Sequence, residues 1–257
     1  MEFNLIDTHT HLYAAEFDAD REICIQRALD AGVSHFMMPN CESSTILKML
    51  SLCEKHPEKF FPMIGLHPCS VKEDYETELA CMASWLKKHK FYAIGEIGMD
   101  LHWDTTYKKE QEIAFKRQID WSIDYKLPIV IHARNSFEEI FDILSDYKAN
   151  SISGIFHCFS GNLPQAQKII EMGLSLGIGG VVTFKNAGLD KVIRALDLEH
   201  LVLETDAPYL SPVPYRGKRN ESSYLPFIAE KIAQLKDVTV AHVAKVTTEN
   251  ARAIFNC

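Results

Sequence analysis

The sequence predicts an α/β protein folded as a (β/α)8 TIM barrel in a single domain over residues 1–257, and three observations lead there. Apolar, β-branched runs alternate with segments of helical period along the whole chain, giving eight pairs. The length of 257 residues is close to the usual size of such a barrel. Histidines and acids gather at the C-terminal ends of the apolar runs, where a parallel barrel carries its active face.

The runs taken as strands are 5–9, 33–37, 61–66, 92–96, 129–132, 154–157, 174–178 and 201–204. Between them lie helical segments. Residues 20–31 begin with Asp20 and stop before Gly32. Residues 107–125 carry Ile113, Phe115, Ile119 and Ile123 near an apolar stripe, and 240–255 reads as a closing helix. Strands that alternate with helices pair in parallel through right-handed crossovers, and eight repeats close on themselves. An open doubly wound sheet is the alternative, but no G-x-G-x-x-G follows the first run to mark a dinucleotide site.

Composition narrows the function class. Hydrophobic residues make up 47% and charged residues 24%, an ordinary globular balance without an apolar run of membrane-spanning length. No membrane partner is expected. M-E-F-N-L-I-D lacks a basic leader region, so no targeting segment is expected at the start. Seven scattered cysteines without a C-x-x-C pair fit reduced thiols and a cytoplasmic location. A net charge of -8 argues against broad duplex binding but permits an enzyme that grips one or two phosphates locally. A monomer is the expected state.

His9 and His11 end the first run in D-T-H-T-H-L, and His67 follows the third in G-L-H-P. Glu96 ends the fourth in G-E-I-G-M-D, His132 the fifth in I-V-I-H-A-R, His157 the sixth in H-C-F-S-G, and Asp206 the eighth in E-T-D-A-P. Alternate residues of a strand share one side with Cα atoms about 6.5 Å apart, so H-x-H can pinch a cation. Alone, such a pair is more often two unrelated polar residues than a ligand pair. Joined by Glu96, His132, His157 and Asp206, it makes a donor set larger than the roughly three protein groups a single catalytic zinc takes. Two divalent cations are therefore expected, Zn, Mn or Mg in type. His35, His56, His89, His200 and His242 are read as surface or helix-end residues.

These motifs, with P-Y-R-G-K-R-N-E and a closing T-x-E-N-A-R-A-I-F, resemble in order those of the TatD family of metal-dependent hydrolases and deoxyribonucleases, within the amidohydrolase superfamily. The resemblance implies His9, His11, Glu96 and Asp206 around one metal, and Glu96 with His132 and His157 around the other. Glu96 is then the bridge. It also implies hydrolysis of phosphodiesters in a nucleic-acid substrate, most often DNA from the 3′ end, single-stranded or at its ends. Some relatives instead remove D-amino acids from tRNA. The family commonly reads N-E-P where this chain has Asn220, Glu221, Ser222 and Ser223, so the loop with Arg216, Lys218 and Arg219 is expected to be more mobile.

Roles follow for individual groups. Asp206 would aim the attacking water or take its proton, beside Glu96 as the second catalytic carboxylate. His67, Arg134, Ser160 and Arg216 are candidate substrate contacts, and Glu204 and Asp7 are candidates to orient the ligands. Asp7, two before His9, is expected on the same inward face; its alternative role is a buried group satisfied by backbone donors. His102 and Trp103 could stack on a base, although core or rim packing is the favoured account of Trp103. Two rivals stand beside the nuclease: an ester or amide hydrolase such as a D-aminoacyl-tRNA deacylase, and a metal-stabilised binding protein. No strand-end lysine offers a carbamylated bridge, which weakens the lactamase-like branch of the superfamily.

Overall fold

The computed structural model describes residues 4–148 and 151–257. Residues 1–3, part of the stretch read for a leader, lie outside the described residues. Eight parallel strands run in chain order: β1 (Leu5–Asp7), β2 (Val33–Met38), β3 (Phe60–Pro62), β4 (Ile94–Asp100), β5 (Ile129–Arg134), β6 (Gly154–Phe156), β7 (Ser175–Ile178) and β8 (Leu201–Leu203). They form two sheets, β1-β2-β3 and β4 to β8. Isolated parallel bridges, Ile64 to Ile94 and Thr10 to Ala207, join the two, and Thr8 N–H donates to Leu203 O at 3.0 Å. The barrel is closed through these seams.

Helices cover the outside: α1 (Arg21–Asp30), α2 (Ser43–Lys55), α3 (Tyr75–Leu86), α4 (Lys108–Tyr125), α5 (Phe137–Ser145), α6 (Leu163–Glu171), α7 (Leu189–Ala195), α8 (Leu225–Lys236) and α9 (Val240–Phe255). Their ends follow local chemistry. Asn162 and Gln165 form a reciprocal capping box on α6, and the Thr239 hydroxyl accepts from His242 N–H at the start of α9. Gly32 at φ +87° supplies the left-handed turn after α1.

The strands sort their side chains by period two. Leu5, Phe36, Phe60, Ile129, Ile131 and Leu201 face the helices in the larger apolar cluster. Ile6, Met37, Phe61, Val130, Ile155 and Val202 fill the barrel interior, and Ala251 and Phe255 of α9 pack into the same cluster. Carrying this alternation onward puts His132, His157, Glu204 and Asp206 inside, above that apolar floor.

Three sequence expectations change here. The strand bounds differ: the third spans Phe60–Pro62, and the fourth runs past Glu96 to Asp100. In α4, Phe115 and Ile119 are buried but Ile113 and Ile123 are exposed. The buried face instead holds Gln111 and Gln118, whose amides bond the backbones of Asp100 and Leu66. Polar residues serve this face because the strand ends it covers have carbonyls and N–H groups to satisfy. Finally, Asp7 follows Leu5 onto the outer side, because β1 ends at Asp7 and the chain leaves the pleat before His9.

The loop after β8 is tied at its far end. Arg219 makes two hydrogen bonds to Asp20, at 2.7 and 2.8 Å, and Arg27 donates to Glu221 at 2.6 and 2.9 Å. Asn220 is buried and its amide donates to Thr205 O and Tyr209 O. The segment expected to loosen without its proline is thus anchored by Arg219, Asn220 and Glu221.

At Gly98 a Cβ would lie 2.1 Å from His132 O, on a backbone at φ +138°. Gly98→Ala should lower stability by about 2–4 kcal/mol in chemical denaturation, since both strain and overpacking act; an unchanged midpoint would contradict this packing. The Arg219 guanidinium holds the Asp20 carboxyl down to about 2 from 3.8. A depressed carboxylate stabilises the fold above its unfolded pKa of about 4 and loses that contribution as pH falls toward its folded pKa. In Arg219→Ala the Asp20 titration, followed by carboxyl NMR, should move up toward 4, and stability should fall less steeply through this window.

Candidate metal centre

The six side chains singled out at strand ends meet in one buried cluster. His9 Nε2 lies 3.3 Å from His11 Nε2, 3.2 Å from Glu96 Oε2 and 3.8 Å from Asp206 Oδ1. His11 Nε2 lies 3.6 Å from Asp206 Oδ1 and 3.9 Å from Glu96 Oε2. The other Glu96 oxygen, Oε1, lies 2.8 Å from both His132 Nδ1 and His157 Nε2, which are 3.4 Å apart. One carboxylate therefore faces two sets of imidazoles.

Local backbone explains how the residues get there. In the β4–β5 pair Gly95 opposes Val130 and Ile97 opposes Ile131, so Glu96 is the extra residue of a bulge. A bulge re-aims one side chain without moving the strand, and here it turns Glu96 inward. His9 and His11 lie beyond the end of β1 and converge through a loop held by the Thr10 to Ala207 bridge, not through a strand pleat. Asp206 sits at φ +56°, a left-handed conformation that places its carboxylate opposite His11.

Hydrogen bonds behind the rings decide which nitrogens face inward. His132 Nε2–H donates to Asp100 Oδ2 at 2.9 Å, so in the neutral ring Nδ1 faces Glu96 as a lone pair. Tyr13 O–H donates to Pro39 O at 2.7 Å, so its oxygen accepts from His11 Nδ1–H at 3.1 Å and His11 Nε2 is likewise bare. A bare nitrogen 2.8 Å from a carboxylate oxygen is repulsive unless positive charge lies between them. The separations on the His9 side, 3.2–3.9 Å, bracket the roughly 3.3–3.4 Å edge of a tetrahedron of ligands at 2.0–2.1 Å. The donor set, imidazole with carboxylate, is one that divalent zinc or manganese accepts. These residues fit a cation on each side of Glu96.

Electrostatics agree. Burial opposes charge on Glu96, yet His157, His67, His9 and His132 around it hold its carboxyl well below the usual range. Burial would lower His132, but bonds to Asp100 and Glu96 raise it instead. The carboxylates draw positive charge into the centre.

The remaining candidates separate. Glu204 is fully buried, accepts from Cys158 N–H, and its Oε1 lies 3.4 Å from His157 Nδ1, so it backs that ring. Asp7 touches no inward-facing ring. Its oxygens accept from Thr205 N–H at 2.9 Å and Thr205 O–H at 2.6 Å, and burial pushes its carboxyl up to about 7. It steadies the backbone next to Asp206.

His67 joins the cluster, with Nε2 3.3 Å from Glu96 Oε1. Its Nδ1 accepts from Cys69 N–H, so Nε2 carries the hydrogen and points into the site as a donor. A cavity of about 780 Å3 opens above, lined by His67, Arg134 and Ser160 and by every cluster residue except His9. Arg216 is not among its lining residues. Its guanidinium stacks 3.7 Å from the Phe184 ring centroid. Arg219 is engaged with Asp20, on the far side of the loop. Trp103 is 70% exposed and lines the cavity, at the rim and not in the core, the two placements expected for it. Two participants escaped the sequence reading: Asp100, the acid that ends G-E-I-G-M-D, and Tyr13, two residues past His11.

A family model described as TatD related DNase matches residues 6–256. An uncharacterized metal-dependent hydrolase, YabD, of Bacillus subtilis (strain 168) is 39% identical over 98% of both chains. A 3'-5' ssDNA/RNA exonuclease TatD of Erwinia tasmaniensis is 30% identical over 98% of this chain and 100% of its own. Among solved structures, the TatD homologue YjjV from Escherichia coli K12 superposes with a TM-score of 0.94 at 28% identity, covering both chains fully. A match across nearly the whole chain, on a barrel of the same architecture and with a buried imidazole–carboxylate cluster at its mouth, places this protein in the TatD family of metal-dependent hydrolases.

Proposed function

We propose that this protein hydrolyses phosphodiester bonds in a single nucleic-acid strand, preferentially DNA and from its 3′ end, with two divalent cations held on either side of Glu96. The observation that carries this reading is the split of one buried carboxylate between two ligand sets, Oε2 toward His9 and His11 and Oε1 toward His132 and His157. Cations bound there would supply charge neutralisation at the phosphoryl oxygens and acidify water. The printed name of the Erwinia relative points the same way.

The chain's own groups take distinct parts. Asp206, open to the cavity, accepts a hydrogen bond from the attacking water and its proton. His67 offers Nε2–H to an oxygen of the phosphate, and Arg134 and Ser160 offer further donors at the rim. Asp100 and Tyr13 hold His132 and His11 in the tautomers that leave inward lone pairs. Seven cysteines without a disulfide suit a reducing compartment, which we take to be the cytoplasm. No helix among the described residues is long and apolar enough to cross a membrane.

The decisive assay compares metal-loaded with chelated protein on bis-p-nitrophenyl phosphate, a labelled single-stranded oligonucleotide and a D-aminoacyl ester. Metal-dependent cleavage of the first two is expected, with stepwise shortening of the strand; cleavage of the ester alone would make the protein a deacylase. Asp206→Asn should lower turnover about 10²- to 10⁴-fold while leaving the circular dichroism melt nearly unchanged. Asp100→Ala should weaken manganese or zinc binding about 10- to 100-fold by calorimetry. Wild-type affinity in that variant would remove Asp100 from the centre.

A further inference from the structure

Two exposed aromatic side chains stand on opposite sides of the metal centre. Trp103 follows β4 and Tyr209 follows β8, and strands four apart in an eight-stranded barrel lie across its diameter. Trp103 is 70% exposed and Tyr209 54%, yet both line the cavity that holds His11, Glu96, His132, His157 and Asp206. Ligand pockets are commonly lined by aromatic side chains around a few convergent polar groups.

Each ring is mounted on a residue of the centre itself. Trp103 N–H donates to Asp100 Oδ1, whose other oxygen accepts from His132. The Arg134 guanidinium lies 5.0 Å from the Trp103 ring centroid and steadies the indole by cation–π attraction. On the other side Tyr209 N–H donates to Asp206 O at 2.8 Å, and the Asn220 amide holds Tyr209 O at 2.6 Å. The Tyr209 ring stands edge-on to His11 with centroids 6.1 Å apart. Both rings are thus fixed relative to the candidate ligands.

Resting on the phosphodiester reading above, we propose that Trp103 and Tyr209 are two base platforms that stack the nucleobases on either side of the scissile phosphate. Flat rings on either side of a polar centre offer one face to each of the two bases that flank a phosphodiester. Every base offers a π-face, so such platforms grip without reading sequence. They also require unstacked bases, which a single strand supplies and an intact duplex does not.

The test uses metal-loaded full-length protein and short oligonucleotides in which the base on one side or the other of the cleaved bond is replaced by an abasic site. Trp103→Ala and Tyr209→Ala are each expected to raise KM on the complete strand about 5- to 100-fold. Each loss should shrink several-fold when one particular base is absent, and the two variants should respond to different positions. Trp103→Phe should recover much of the binding, and equal melts by circular dichroism will show that the variants fold. Losses that are the same with and without the base, or no loss at all, would overturn the platforms while leaving the phosphodiesterase standing. Cleavage of bis-p-nitrophenyl phosphate by the wild type with no turnover of any oligonucleotide would overturn the nucleic-acid reading and the platforms together.

Discussion

A single buried carboxylate surrounded by imidazoles sets the terms for the rest of this molecule. Glu96 is 2% exposed, and its two oxygens contact His9, His67, His132 and His157 within 3.3 Å. In a low-dielectric interior a negative charge needs compensation; His67 offers its Nε2–H, while the neutral ring of His132 turns a lone pair toward the carboxylate. Only positive charge satisfies both sides. That requirement explains why the outer partners Asp100 and Tyr13 are aimed as they are, and why the family to which the chain belongs is metal-dependent.

The barrel meets this demand by dividing its interior into two layers. Below, Ile6, Val130, Ile155 and Val202 make an apolar floor; above, the same alternation delivers His132, His157, Glu204 and Asp206. Two departures from the rhythm build the cluster. The bulge at Glu96 brings a carboxylate to the middle of the layer, and the exit of the chain from β1 at Asp7 frees His9 and His11 to close on each other. Regular pairing supplies rigidity, and irregular pairing supplies aim.

Much of this was legible in the sequence because it depends on periodicity and residue type. The eight apolar runs, and the histidines and acids at their ends, report where strands finish, and a parallel barrel gathers those ends on one face. What could not be read depends on contacts between distant segments. The orientation of the His132 ring is fixed by Asp100 on the neighbouring strand, and the engagement of Arg219 depends on Asp20, far back in the chain. A run such as Y-R-G-K-R looks the same whether its cations meet a phosphate or a carboxylate. The stripe of α4 misled for a related reason: buried glutamines that satisfy strand ends have no hydrophobic signature.

The C-terminal helix gives the barrel a direction. Ala251 and Phe255 pack into the interior cluster from the end opposite the metal centre, so apolar side chains close the floor among the described residues. Traffic at the open face is therefore one-way in geometry: substrate, water and product all share a single doorway among the described residues. A product that lingers there blocks its successor, so the emptying of the doorway bears on how fast the enzyme can cycle.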